Sequence, residues 1–244
     1  MTHTHIQHNS IDSTNLEAKR LIQSGKIGQG ITVISAKSQT GGKGRLGRSW
    51  VSEEGNLFAS FIVSRLSFIV DGYENHELQT INNKLPFLSA LAIGATIKEF
   101  TNKTPLYKWP NDVLIEGEKI SGVLIETIAD YFIIGIGINI ASYPLEGTKL
   151  PATCLDNHTK DKNQVSSVLE TLIKNMENKM HMDAASVRHE WMENAYGMGK
   201  EAVINQGDKE ISGIFRGIDA NGGLILETKG SKREAVLFGD ISWI

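Results

Sequence analysis

The run Gln39-Thr40-Gly41-Gly42-Lys43-Gly44-Arg45-Leu46-Gly47-Arg48-Ser49-Trp50 carries the densest chemistry in the chain. Four glycines and three cations fall within residues 41–50, with no acid among them. Glycine lets backbone N–H groups approach an anion closely, and the cations supply charge. The run suits phosphate or carboxylate. It also fits two dinucleotide- and phosphate-loop spacings, through Gly42, Gly44 and Gly47 and through Gly42, Gly47, Arg48 and Ser49. Both motifs need a helix directly afterwards. Here Trp50–Asn56 is too short and Gly-bounded for one, and Leu57–Val63 reads as a buried strand. Ile31–Ala36 upstream reads the same way, so the run is predicted to be a long strand-to-strand loop. A loop of that length is functional or disordered.

A second cluster is Lys108-Trp109-Pro110-Asn111-Asp112. Buried lysine is rare unless paired. Lys108 is read either as a strand-edge lysine paired with Asp112 or as a fixed cation that neutralises developing charge. A third is Lys119-Ile120-Ser121-Gly122-Val123-Leu124-Ile125-Glu126. Gly122, with Gly135 and Gly137 in the next strand, weakens a strand interior; any one of them reads as a bulge or a helix crossing tightly above the sheet, and the three together favour a ligand lying close on the sheet. Ser13-Thr14-Asn15 opens a helix. It reads as a cap, with Thr14 and Glu17 at capping-box spacing, or as a cradle for a small polar head.

The elements that must hold these groups follow from periodicity. A helix runs from Ser13 towards Gly25, and a second from Pro86 to Phe100 with proline in its first turn. Residues 64–84 form a polar excursion. Residues 106–140 form an antiparallel meander, with turns at Pro110–Asp112, Glu116–Glu118 and Ala129-Asp130. Residues 163–182 and 184–195 are helical. After Gly197-Met198-Gly199, four or five short strand-like runs read as a small β-barrel docked on the rest. The fold class is therefore α+β, with a mixed, mainly antiparallel sheet and packed helices. The division is 1–196 and 197–244.

The chain has 244 residues, a net charge of −3 and one cysteine. General nucleic-acid affinity is not implied. Residues 1–50 nonetheless carry seven cations (Lys19, Arg20, Lys26, Lys37, Lys43, Arg45 and Arg48) against Asp12 and Glu17, which suits an anionic ligand. The lone Cys154 excludes an internal disulfide and fits a reducing compartment. There is neither a signal-peptide pattern nor an apolar run of membrane length, so a soluble, cytoplasmic protein is expected. His3, His5 and His8 read as solvated histidines at a frayed terminus.

Taken together, Gly42–Trp50, Lys108–Asp112 and Lys119–Glu126 closely resemble the corresponding motifs of the biotin protein ligases, that is, biotin–[acetyl-CoA-carboxylase] ligases. Ser13-Thr14-Asn15, Gly137-Ile138-Asn139 and the small C-terminal module extend the resemblance over nearly the whole chain. It implies the class II synthetase-like fold of biotin and lipoate ligases, with an SH3-like C-terminal barrel. It implies two steps: biotin and ATP give biotinyl-5′-AMP, and a lysine of a biotin carboxyl carrier protein takes the acyl group. Mg²⁺ accompanies ATP. By this likeness Ser13, Thr14, Asn15, Gln39, Gly42, Lys43, Trp50 and Gly122 bind biotin. Lys108, Arg45 and Arg48 are catalytic. Arg45, Arg48, Trp50, Asn111, Lys119 and Asn139 contact the nucleotide. The family's loop often reads Gly-Arg-Gly-Arg; Lys43 keeps the charge but not the guanidinium fork. The pattern begins near residue 10, so no DNA-binding domain and no transcriptional role are expected. A monomer or weak homodimer is expected, with no membrane partner. The rival readings are a lipoate–protein ligase and a non-catalytic nucleotide or RNA-binding module.

Overall fold

The computed structural model describes residues 3–28, 30–65, 76–146, 150–207 and 209–243. A seven-stranded sheet forms the centre, in the order β1-β2-β3-β7-β6-β5-β4. Its strands are β1 (His3–Ile11), β2 (Ile31–Gln39), β3 (Leu57–Ser64), β4 (Pro105–Lys108), β5 (Asp112–Ile115), β6 (Glu118–Ile128) and β7 (Tyr131–Ile138). Only the β1–β2 pair is parallel. Helices α2 (His76–Phe100), α3 (Val165–Met180) and α4 (Ala184–Glu193) cover one face. Helix α1 (Thr14–Gln23) covers part of the other.

Strand alternation sorts the side chains between these faces. Val33, Phe61, Ile134 and Ile136 belong to the large core with α2. Ile34, Ile62 and Ile133 pack with Ala18 of α1. Between the α2-facing isoleucines of β7 stand Gly135 and Gly137, which therefore face the α1 side. Gly137 pairs with Gly122, and Gly135 with Ser60. A floor of small residues is the result.

The second sheet is antiparallel, in the order β11-β10-β9-β8-β12. Its strands are β8 (Glu201–Gln206), β9 (Lys209–Ile218), β10 (Leu224–Glu227), β11 (Arg233–Val236) and β12 (Asp240–Trp243). The expected barrel is not closed: β11 and β12 are unpaired edges of four residues each. Edge β12 instead contributes Asp240–Trp243 to a cavity shared with the large sheet. The small sheet is joined to the rest by its core, which is continuous with that of the large sheet. Trp109 Nε1 also donates to Gly222 O at 3.0 Å.

Two further expectations change. Helix α2 begins ten residues before Pro86, at His76. A mid-helix proline costs about 3 kcal/mol. Ile81 and Leu85, four apart and buried, hold the earlier turns on the core. Of the polar excursion 64–84, residues 66–75 lie outside the described residues. The histidine-rich start is not frayed. It is an edge strand, with His5 Nε2 2.8 Å from Ser35 Oγ and His3 Nδ1 3.5 Å from Glu177.

Candidate active site

The Gly/Arg run folds on itself rather than opening a helix. Gly44 N donates to Arg48 O at 2.7 Å, and Trp50 N to Gly42 O at 2.9 Å. Gly41 N ties it to Asp12 O at 2.8 Å. The tip, Arg45–Gly47, is a 3-10 turn with Leu46 and Gly47 at positive φ. Gly42 is required by this packing, because a Cβ there would sit 2.6 Å from Trp50 O. It does not line the cavity.

That cavity, of about 820 Å³, is where the distant motifs meet. It is lined by Ser13, Thr14, Asn15, Gln39, Lys43, Arg45, Arg48, Trp50, Lys108, Asn111, Lys119, Gly122 and Asn139. Every residue assigned from sequence except Gly42 is therefore brought together.

At one end, Ser13, Thr14 and Asn15 are buried at the start of α1. Neither Ser13 nor Thr14 caps the helix: Ser13 makes no side-chain cap bond, and Glu17 pairs with Arg20 at 2.7 Å. Thr14 N and Oγ1 both donate to Gln39 Oε1, at 2.8 and 3.2 Å. Ser60 Oγ lies 2.8 Å from Thr14 Oγ1 and 2.6 Å from Asn15 Oδ1. Asn15 Nδ2 donates to Glu126 at 2.9 Å, and Lys19 pairs with Glu126 at 2.6 Å. The result is a fixed array of donors and acceptors suited to a neutral polar head. Ser60 was missed in the sequence. Nothing local marks it; strand register alone places it beneath Thr14 and Asn15.

The in-strand glycines serve side chains of this chain. A Cβ on Gly135 would collide with Asn15 Oδ1, and one on Gly137 with the Trp50 indole. A Cβ on Gly122 would lie 2.9 Å from Trp50 Cζ3. The indole thus lies flat on the floor, with Lys119 Nζ 5.3 Å from its ring centroid and its Nε1 buried without a partner. We expect Gly135→Ala to displace Asn15 and raise the dissociation constant for the polar-headed ligand about tenfold, the scale of one lost hydrogen bond. Calorimetric titration with biotin, the ligand that the resemblance implies, checks this. An unchanged constant would contradict the assignment.

At the other end, Lys108 is 9 % exposed at the end of β4. It does not pair with Asp112, which instead pairs with Lys119 at 2.7 Å. Among the described residues the Lys108 ammonium makes no hydrogen bond or ion pair, while its backbone belongs to the β4–β5 ladder. Desolvation lowers its pKa, opposed by the nearby charge of Asp112. Burial likewise lowers that of Arg45, opposed by Asp112 and Asp240. Arg45 Nη1 donates to Asn111 Oδ1 at 3.1 Å, and Asn111 Nδ2 to Val123 O at 2.6 Å. Arg48 reaches across to the small sheet and pairs with Asp240 at 2.9 Å. Asp240 was also missed in the sequence: it lies 192 residues from Arg48, and only the docking of the small sheet brings it close. Asn139 lines the cavity, but its Nδ2 is engaged by Thr153 O at 3.0 Å. Among the described residues no group of three or more His, Cys, Asp or Glu is placed to hold a metal ion.

Such a site has a neutral polar end, an aromatic floor, and a cationic end with a buried lysine that makes no ion pair among the described residues. It suits the joining of a carboxylate to a nucleotide phosphate. The comparisons with known proteins agree. Residues 8–139 match the biotin/lipoate A/B protein ligase family, and residues 198–243 match the biotin protein ligase C-terminal domain. A biotin–[acetyl-CoA-carboxylase] ligase of Paracoccus denitrificans is 30 % identical over 88 % of this chain and 90 % of its own length. The bifunctional ligase/repressor of Bacillus subtilis is 30 % identical over 91 % of this chain and 69 % of its own length. The biotin protein ligase of Aquifex aeolicus, solved with biotin and ATP, superposes with a TM-score of 0.81 at 29 % identity, covering 99 % of this chain and 98 % of that one. The chain belongs to the biotin/lipoate A/B protein ligase family.

Proposed function

We propose that this protein activates biotin with ATP and transfers it to one lysine of a biotin carboxyl carrier domain. The observation that carries this is the pairing of ends. The rigid polar cradle of Thr14, Asn15 and Gln39 lies in the same cavity as Lys108, Arg45 and Arg48. The ureido head of biotin fits the first end, and its carboxylate reaches the second.

In the first step a biotin carboxylate oxygen attacks the α-phosphorus of ATP, supplied as its magnesium complex. The bond to the β-phosphate oxygen breaks, and pyrophosphate leaves. Two anions must approach, so Lys108 neutralises the charge that builds on the α-phosphate. Its ammonium makes no ion pair among the described residues, although the charges of Asp112 and Asp240 act on it, so it can meet a substrate anion. Arg45 and Arg48 close over the adenylate, and Trp50 forms part of its wall. Water is thereby kept from a reactive anhydride. In the second step a deprotonated lysine amine attacks the acyl carbon. The acyl–phosphate bond breaks, AMP leaves, and the amine releases a proton.

Residues 1–196 would form the catalytic domain, and 197–244 a smaller unit that supplies Asp240 to its rim. Lys119 and Asn111 would act on the nucleotide side, Asn111 chiefly by holding Arg45. Cytoplasmic location fits this chemistry, and no helix among the described residues is long and apolar enough to cross a membrane. The test is incubation with biotin, ATP, Mg²⁺ and a carrier domain, read by intact mass. The expected result is one biotinyl group per carrier. A carrier that gains lipoyl but not biotinyl groups from a mixture of the two acids would favour the lipoate alternative.

A further inference from the structure

The polar cradle contains two side-chain amides, Asn15 and Gln39. The two ends of an amide have nearly the same shape and opposite hydrogen-bonding sense, so the partners decide which end faces which way. Asn15 meets Glu126 Oε2 at 2.9 Å. Burial alone would raise the pKa of Glu126, but the bonds from Lys19 and Asn15 hold it below the usual carboxylate range, so it is ionised at neutral pH. An ionised carboxylate only accepts. Asn15 therefore turns its NH2 to Glu126 and its oxygen to Ser60 Oγ, which donates to it at 2.6 Å.

Gln39 is fixed in the same way. Ser52 Oγ lies 2.9 Å from Trp50 O, which only accepts and so takes the single hydroxyl hydrogen. Ser52 Oγ is left to accept, and the Gln39 NH2 donates to it at 2.9 Å. The Gln39 oxygen then faces Thr14 N at 2.8 Å, a backbone N–H that needs an acceptor. Gly42 makes room for this arrangement: a Cβ there would collide with Ser52 Oγ and lie 3.1 Å from Gln39 Nε2. Neither Glu126 nor Ser52 lines the cavity.

We propose that Glu126 and Ser52 are positioning residues that set the donor–acceptor direction of the cradle and make it selective for a ureido head over a guanidinium of the same shape. The inference rests on the biotin reading above. With both amides oriented, each keeps one N–H for an acceptor on the ligand. A ureido oxygen is such an acceptor. A guanidinium presents N–H groups in its place, so donors would face donors. A site built on hydrogen bonds rejects an analogue that cannot complete them. An amide free to flip could turn its oxygen to the ligand instead, and that rejection would weaken.

The test measures biotin-dependent ATP–pyrophosphate exchange and its competitive inhibition by 2-iminobiotin, the guanidinium analogue, in the full chain. Glu126→Gln keeps the shape but offers Asn15 either a donor or an acceptor. Ser52→Ala removes the acceptor for the Gln39 NH2. In each variant the KM for biotin should rise about tenfold with kcat near the wild-type value, the scale of one lost hydrogen bond. The inhibition constant of 2-iminobiotin should stay nearly fixed, so its ratio to the biotin KM should fall about tenfold. Lys19→Met removes an ion pair but keeps the Asn15–Glu126 bond, and should move the ratio by about twofold at most. A shift in Lys19→Met as large as that in Glu126→Gln would reduce Glu126 to an ion-pair partner and overturn its assignment. An unchanged ratio in Glu126→Gln or in Ser52→Ala would overturn the assignment of that residue, whether or not kcat falls. Absence of biotin-dependent exchange in the wild-type chain would defeat the biotin reading itself. A wild-type enzyme whose selectivity survives both substitutions would defeat this inference alone.

Discussion

Replacing Lys108 by alanine is expected to slow biotin-dependent ATP–pyrophosphate exchange by about 10²–10³-fold, the usual effect of removing one group that stabilises developing charge. Biotin affinity should change little, because the cradle proposed for its polar head is built by Thr14, Asn15 and Gln39 and does not include Lys108. Lys108→Met separates this loss from damage to the fold. The ammonium is desolvated and has no ion-pair partner among the described residues, so its charged form costs stability. The folded-state pKa is lowered, so the cost is present below that pKa and fades as pH rises through it. At neutral pH the methionine variant should be as stable as wild type or about 1 kcal/mol more stable, a gain of about 2–4 °C in Tm. The same titration predicts that kcat/KM for exchange, which reports the free enzyme, falls as pH rises through the lowered pKa, because the cation is lost. Normal exchange by Lys108→Ala would remove this residue from the mechanism.

The second large effect is expected at Arg45. This guanidinium is partly buried and held by Asn111, whose own amide is fixed on Val123 O. Arg45→Gly removes the fork and frees the loop tip. Truncating one partner of a desolvated charged contact costs about 2–5 kcal/mol. The off-rate of biotinyl-5′-AMP should therefore rise about a hundredfold, with adenylate formation less affected. Arg45→Lys should recover only part of the retention, since an ammonium keeps the charge but not the planar geometry. Asn111→Ala should raise the off-rate in the same direction, and its effect should be largely absent once Arg45 is glycine. Chase of preformed adenylate with unlabelled biotin measures all three. Equal off-rates in wild type and Arg45→Gly would contradict loop closure.

Much of the frame was legible from local pattern. The β6–β7 hairpin follows from two apolar runs around Ala129-Asp130, and Ala129 takes the positive φ that such a turn needs. Strand β1 was not legible. Its one large apolar residue before Ile11 is Ile6, and it is held by parallel pairing with β2 rather than by burial. The start of α2 was hidden because the local penalty of Pro86 is outweighed by core contacts that no short window contains. In the site, the cation-rich loop and Lys108 stood out by composition. The glycines were read as room for a ligand, yet Gly122 and Gly137 make room for Trp50, and Gly135 for Asn15. The sequence marks that something approaches the sheet, but not what. Ser60 and Asp240 carried no local signal, because register and the docking of the small sheet create their roles.

One experiment bears most directly on the claim that a single cavity joins biotin to a nucleotide. The chain is incubated with equal biotin and lipoate plus MgATP, with no carrier present, and its bound small molecules are identified by native mass spectrometry. Retention of one biotinyl-5′-AMP per chain is predicted, accumulating about 10²–10³-fold more slowly in the Lys108→Ala protein. Bound lipoyl-AMP in place of the biotinyl adenylate, or no acyl-adenylate at all from the wild-type chain, would contradict the account.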